Sequence, residues 1–140
     1  MTSDIKLEAV PVPVSDVDRA KAFYTEQLGF GLDVDHSAGD QFRVVQVTPP
    51  GSACSIMFGL GIVDSSPGSV KGIHLVVTDI TAAHAELTAR DVDVTAVRHM
   101  TPQGWADGVD PAHADYNSFA DFTDPDGNSF VLQERGHSSA

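Results

Sequence analysis

The chain says nearly the same thing twice. Val14-Ser15-Asp16-Val17-Asp18-Arg19-Ala20-Lys21-Ala22 is echoed downstream by Val77-Thr78-Asp79-Ile80-Thr81-Ala82-Ala83-His84-Ala85. In each copy an apolar, strand-like run feeds a hydroxyl–acid pair and then a helical pattern. A second echo follows. Pro49-Pro50-Gly51-Ser52 precedes the apolar run 53–58, and Asp124-Pro125-Asp126-Gly127-Asn128 precedes 129–133. Two modules of roughly sixty residues imply one domain built by duplication, with a functional cavity expected to be shared between the halves.

Within each module the local signals are ordinary. Residues 6–13 read as a strand, and Pro11 and Pro13 require an edge or otherwise unpaired position for it. Ser15 or Asp16 caps a helix. Val17, Ala20, Phe23, Tyr24 and Leu28 form its apolar stripe, and Gly29 ends it. Residues 30–34, 42–47 and 53–58 read as three further strands. The second module repeats the plan: a strand over 73–77, a helix capped by Thr78 or Asp79, then strands over 92–97, 116–122 and 129–133. Proline and glycine in the 124–128 run set a tight turn. Module one covers about 5–60, a Gly/Ser-rich linker about 61–70, module two about 71–135, and a frayed tail 136–140. The modules differ in one place. A Gly/Pro/Asp-rich stretch over 99–115, carrying Met100, Trp105 and His113, reads as a long loop of the kind that often serves function.

Charge and composition exclude several roles. Eight basic against twenty acidic side chains give a formal net charge of −12. Phosphate backbones and anionic membranes are repelled, so neither nucleic acid nor a membrane is expected as a partner. A cationic small molecule is attracted, although acidity also serves plain solubility. No apolar run approaches bilayer-spanning length, and residues 1–6 lack a signal-peptide pattern. The lone Cys54 has no internal disulfide partner and reads as a small buried hydrophobe. A cytoplasmic protein is expected.

The β-α-β-β-β order occurring twice, with the 14–30 run Val-Ser-Asp-Val-Asp-Arg-Ala-Lys-Ala-Phe-Tyr-Thr-Glu-Gln-Leu-Gly-Phe and the Asp-Pro-Asp-Gly-Asn turn at 124–128, resembles the glyoxalase/bleomycin-resistance/extradiol-dioxygenase (vicinal oxygen chelate) superfamily. The resemblance covers nearly the whole chain. It implies an α+β fold of two βαβββ modules forming a concave mixed sheet, often completed by a homodimer. Enzymes and non-catalytic drug-binding proteins share that fold, so it does not decide function.

The resemblance also implies a divalent metal held by His and Glu on the opening and closing strands of each module. An opening-strand ligand would lie seven residues before the capping aspartate, and a closing-strand ligand four residues after the turn glycine. In this chain those places hold Ala9, Gly72, Ser55 and Val131. None is a normal ligand for Zn, Ni, Fe or Mn. No metal and no cofactor are therefore expected at the usual place. A rescue site among His74, His99, His113, Asp107, Asp110 and Asp115 has no motif spacing behind it. His99 and His113 otherwise read as surface residues on a polar loop, and Glu134, out of phase with Val131, reads as solvent-facing.

Strand alternation sets the expected cavity lining. Pro11, Met57, His74 and Gln133 each lie two residues beyond a vacated ligand position and share its face. Such a lining, mostly apolar with a few oriented polar groups, suits a small molecule. For His74 the competing reading is an imidazole satisfied by a neighbouring carbonyl. Trp105 either stacks on a flat ligand or anchors its loop. Arg43 joins the lining if its strand faces inward, although its repeat partner Phe119 argues for packing there. No nucleophile–base pair and no phosphate-binding glycine loop is visible.

The leading expectation is thus a metal-free small-molecule-binding protein that sequesters an antibiotic or other natural product. The alternative is a glyoxalase-like lyase, isomerase or dioxygenase working through an unconventional metal site or through acid–base chemistry at His74. A third reading is an accessory subunit with a vestigial cavity.

Overall fold

A computed structural model describes residues 3–138. Met1 and Thr2, part of the leader-free N-terminal reading, and Ser139 and Ala140, part of the frayed-tail reading, lie outside the described residues. The elements run β1 (Ala9–Pro11), α1 (Val17–Ala22), β2 (Gly31–Ser37), β3 (Arg43–Thr48), β4 (Ser55–Leu60), β5 (Ile73–Val77), α2 (Ile80–Ala89), β6 (Arg98–Thr101), β7 (Gly104–Asp107), β8 (Ser118–Thr123) and β9 (Ser129–Glu134). They fall into two compact units. One runs through Ser69 and includes the Pro125–Asn128 turn; the other holds Val70–Asp124 and resumes at Ser129.

The first unit carries a four-stranded sheet in the order β1-β4-β3-β2. Its opening strand is only three residues long and pairs, parallel, with β4 alone. That edge position accommodates Pro11, which has no N–H to give a second neighbour. Asp16 caps α1 by accepting from the Arg19 N–H at 3.0 Å. After Ala22 the helix widens into a π turn over Phe23–Gln27, closed by the Leu28 N–H to the Phe23 carbonyl. Gly29 leaves it at φ 76°, a left-handed conformation that suits the residue without Cβ. Tyr24 is fully buried, stacked on Phe58 at 5.3 Å with Phe23 edge-on at the same distance. Val12, Val17, Ala20, Val45, Val47 and Ile56 complete this core.

The second unit carries a five-stranded sheet in the order β5-β9-β8-β6-β7. β5 pairs with β9 in parallel, as β1 pairs with β4, so the module plan is kept. Asp79 caps α2 through the Ala82 N–H. The helix packs on β8 and β9, over Ala120, Phe122, Phe130 and Leu132, with Ile80 and Leu87 as its own buried residues.

Three sequence expectations need correction here. No strand forms over 92–97: the segment runs without a ladder, and Thr95 alone among its backbone donors reaches β8, at the Asp121 carbonyl. The strand begins instead at Arg98. The stretch from 99 to 115 is also not one long loop. β6 and β7 form a hairpin there, turned at residues 102–103 and held by Thr101 Oγ1 donating to the Gly104 carbonyl. Trp105 is therefore a strand residue rather than a loop tip. Cys54 lies just ahead of β4 and is half-buried rather than buried.

Candidate functional site

Each sheet has one face under its helix and one face left over. In the second unit pairing register assigns the left-over face residue by residue. Phe119 lies opposite Gln133, Asp121 opposite Val131, His74 beside Val131 and Val76 beside Gln133. Across β6 and β7, Arg98 faces Phe119 and Asp107, while Met100 faces Trp105. His74, Val76, Arg98, Met100, Trp105, Phe119, Asp121, Val131 and Gln133 thus share one surface. Their intervening neighbours, among them His99, Ser118, Ala120, Phe130 and Leu132, are buried on the helix side. Three expected site residues, His74, Gln133 and Trp105, are brought onto this surface.

The surface is accessible and sets apolar side chains beside Arg98, Asp107, Asp121, His74 and Gln133. Val76 is 56% exposed and Trp105 54%, and Met100 is exposed as well. Trp105 is half-framed: Phe119 meets it edge-on at 5.4 Å, and the Arg98 guanidinium lies 4.7 Å from its ring centroid. Arg98 is in turn held by Asp121 at 2.9 Å. This cation–π pair fixes the indole plane while much of the ring stays open to a planar partner. Sequence reading did not single out Arg98 or Asp121. Their signal was alternation from Met100 and Val131, obscured while 99–115 was read as a loop.

Polar groups on the same surface are oriented. His74 Nδ1 lies 2.8 Å from the Gly72 carbonyl and must donate to it, which leaves Nε2 as the acceptor of the neutral ring. The carbonyl partner anticipated as the competing reading is present, and it uses only one nitrogen. Gln133 Nε2 donates to the Tyr116 carbonyl at 3.0 Å.

In the first unit Ala9 lies beside Ser55 and Pro11 beside Met57, while Gln46 lies opposite Met57. Pro11 and Met57 therefore share the face left free by α1. Ser55 is buried there, 2.6 Å from Thr48 Oγ1, which also bonds the Asp33 carboxylate. Arg43 does not join them. It stands three residues before Gln46, an odd step that turns it to the helix side. There its guanidinium binds Asp35 on β2 and Asp18 on α1. Equating Arg43 with Phe119 misled because register, not distance from the turn glycine, fixes equivalence: Gln46 opposite Met57 matches Phe119 opposite Gln133.

The residues at the positions implied for a metal do not fit one. Ala9 and Val131 carry hydrocarbon, Gly72 carries no side chain, and the Ser55 hydroxyl is engaged with Thr48. The suggested rescue residues are dispersed as well. His99 is buried rather than surface-lying, with Nδ1 on the Gly108 carbonyl at 2.8 Å. Asp110 orders its own loop. It accepts from Asn117 and from the Ala112 and Ala114 N–H groups, which hold its carboxyl below the usual range. Asp115 accepts from the Gly136 N–H.

Comparison with known proteins agrees with this architecture. The antibiotic binding protein TnmS3 from Streptomyces sp. CB03234 superimposes with a TM-score of 0.74 at 32% identity, over 96% of this chain and 99% of that one. A glyoxalase/bleomycin resistance protein/dioxygenase superfamily member from Sphaerobacter thermophilus DSM 20745 gives the same TM-score and identity, over 94% of this chain and 98% of its own. YetH of Bacillus subtilis (strain 168) is 25% identical over 130 residues, which span 92% of this chain and 98% of that protein. Residues 6–132 match one family description, and on that match the chain belongs to the Glyoxalase/Bleomycin resistance protein/Dioxygenase superfamily.

Proposed function

We propose that the protein binds a small organic molecule on the open surface of the five-stranded sheet, with no metal among the groups that meet the ligand. The observation that carries this reading is the Trp105–Phe119–Arg98 group beside Met100, Val76 and Val131, with His74 and Gln133 at the margin. An exposed indole braced by a cation and set beside the hydrocarbon of Met100, Val76 and Val131 favours a planar, largely aromatic ligand. The charge of −12 favours a cationic one. Similarity to TnmS3, named as an antibiotic binding protein, supports a natural product of antibiotic type. In this reading the protein is a cytoplasmic homodimer that sequesters its ligand.

Trp105 is the single tryptophan of the chain, so its fluorescence reports on this surface alone. Titration with a panel of planar aromatic antibiotics, cationic and neutral, should quench it in a saturable manner. No saturable quenching and no calorimetric heat across the panel would sink the proposal.

A second reading rests on His74. With Nδ1 committed to the Gly72 carbonyl, the neutral imidazole presents Nε2 as a base. Turnover of a glyoxalase-type substrate that is abolished by His74→Gln, with the fold intact, would favour an enzyme. Unchanged turnover in that variant would remove His74 from any mechanism.

A further inference from the structure

Glu134 ends β9 with its side chain 1% exposed. Its phase relative to Val131 is as the sequence suggests, but the far side is covered by α2 rather than by water. A carboxylate so buried requires compensation by hydrogen bonds or by a cation. One oxygen, Oε2, accepts from the Ile80 N–H at 3.0 Å, at the start of α2. The other, Oε1, lies 2.7 Å from Nδ1 of His113. A second imidazole arrives from beyond the strand: His137 Nδ1 lies 3.7 Å from Oε2 and 3.2 Å from the Thr78 carbonyl.

The two imidazoles are arranged together. Their rings stack at 3.7 Å, inclined by only 9°, with His113 Nδ1 on Oε1 and His137 Nδ1 nearer Oε2. Parallel ring planes do not meet at one ion, so loading turns one partly exposed ring out of the stack. His113 reaches this position with φ at 49°, a left-handed backbone that a residue with Cβ adopts at a cost. The donor atoms of His113, Glu134 and His137 all lie within 4.8 Å of one another, the one such group among the described residues. Donors around a tetrahedral ion bound at about 2.0–2.1 Å stand roughly 3.3 Å apart. The His113–Oε1 separation of 2.7 Å is shorter than that and the His137–Oε2 separation of 3.7 Å longer, the two running to different oxygens of the carboxylate.

We propose that His113, Glu134 and His137 form a site for a divalent transition-metal ion, distinct from the positions the superfamily resemblance implies. Two imidazole nitrogens and one carboxylate oxygen suit Zn, Co, Ni or Cu rather than Mg or Ca. Three protein ligands leave a position for water. The ion takes the Nδ1 lone pair of each imidazole, whose ring proton then resides on Nε2. It fastens the loop before β8 and the segment after β9 to the start of α2. That loop carries Tyr116, whose carbonyl holds Gln133 on the ligand surface.

The test uses the full chain, stripped with a chelator and titrated calorimetrically with zinc chloride, then with cobalt chloride monitored by visible absorption. One equivalent of zinc per chain, a cobalt spectrum of nitrogen–oxygen type and a zinc-dependent rise in melting temperature are expected. His137→Gln alters only the segment beyond β9 and should keep the fold. It should weaken zinc binding by more than about tenfold and erase the rise in melting temperature. His113→Gln should do the same, and His36→Gln on the exposed β2 should leave zinc binding unchanged. Absence of stoichiometric zinc binding in the parent chain would overturn the proposal. So would zinc binding in His137→Gln and His113→Gln as tight as in the parent chain.

Discussion

Arg43 grips Asp35 across β2 and β3 through two parallel hydrogen bonds, Nε to Oδ1 and Nη2 to Oδ2, both 3.0 Å. Lys21 adds a third contact to the same carboxylate from α1, at 2.8 Å, and Asp18 takes the remaining Arg43 nitrogen at 2.8 Å. The cluster ties the helix to β2 and β3 of the first sheet. The Arg43 and Lys21 hydrogen bonds hold the Asp35 carboxyl well below the usual carboxylate range, and Asp35 and Asp18 raise Arg43 in turn.

That depression makes stability depend on acid. A carboxyl with a lowered folded value contributes fully above its unfolded value of about 3.9 and loses its contribution as pH falls through the folded value. Asp35→Asn should therefore be less stable than the parent by about 1 kcal/mol at neutral pH, given partial exposure of the pair. The gap should narrow as pH falls below about 4. Paired denaturant unfolding at pH 7 and at successively lower pH measures it. A gap that stays constant would show that charge on Asp35 is not what stabilises the cluster.

Because Arg43 faces α1, its loss should be felt in folding and not in binding. Arg43→Gln is expected to lower stability by about 1 kcal/mol while leaving the affinity for any aromatic ligand within about twofold of the parent. Calorimetric titration of a ligand first identified by Trp105 quenching provides the comparison. A large loss of affinity at unchanged stability would place Arg43 in the binding machinery after all.

Trp105 should behave in the opposite way. Its ring is more than half exposed and rests on one edge contact and one guanidinium. Trp105→Ala should cost little stability yet weaken binding by up to about tenfold, the scale of one aromatic pair. Trp105→Phe should retain part of the affinity. Calorimetry, which does not depend on indole emission, distinguishes the three proteins. Equal affinities would shift the ligand away from this surface.

Much of the fold was legible because its signals are local. Asp16 and Asp79 announce their helices by the hydroxyl–acid pair, and the observed side-chain caps are at those residues. Pro11 demanded an edge and lies on one. Alternation placed Pro11 with Met57, and His74 with Gln133, on common faces. What failed depended on long-range pairing. The Arg98–Thr101 strand exists because Asp107 and Phe119 lie beside it, information that no window around residue 98 contains. Glu134 is in phase with Phe130 and Leu132 on the helix-side face, and reads as solvent-facing only while the Val131 side is taken as the one dry face of the sheet. Its partners His113 and His137 come from before β8 and beyond β9, with no spacing to betray them.

The core around Tyr24 should be as demanding as its burial suggests. The ring is enclosed by Phe23, Phe30 and Phe58, with Phe58 stacked on it. Tyr24→Ala removes a ring the surrounding residues cannot replace, and a loss of about 3–5 kcal/mol is expected. Tyr24→Phe keeps the ring and should cost about 1 kcal/mol. Chemical denaturation of both variants provides the measurement. A loss below about 1 kcal/mol for alanine would mean the pocket collapses freely around the deletion.

Asn128 offers a sharper discrimination between polarity and packing. It is fully buried, and its Nδ2 donates to the Pro13 carbonyl at 2.8 Å, just ahead of α1. That carbonyl receives the Gly68 N–H only at 3.3 Å. Asn128→Ala deletes the donor and should cost about 1–3 kcal/mol. Asn128→Asp keeps the shape but sets an ionised oxygen against the carbonyl oxygen inside a buried site, so at pH 7 it should be less stable than the alanine variant. As pH is lowered the new carboxyl protonates, regains a donor, and the order of the two variants should approach or reverse. Urea unfolding of both proteins at neutral and acid pH tests this. If the aspartate variant matches the parent at pH 7, the amide donor is not what holds the Pro13 carbonyl.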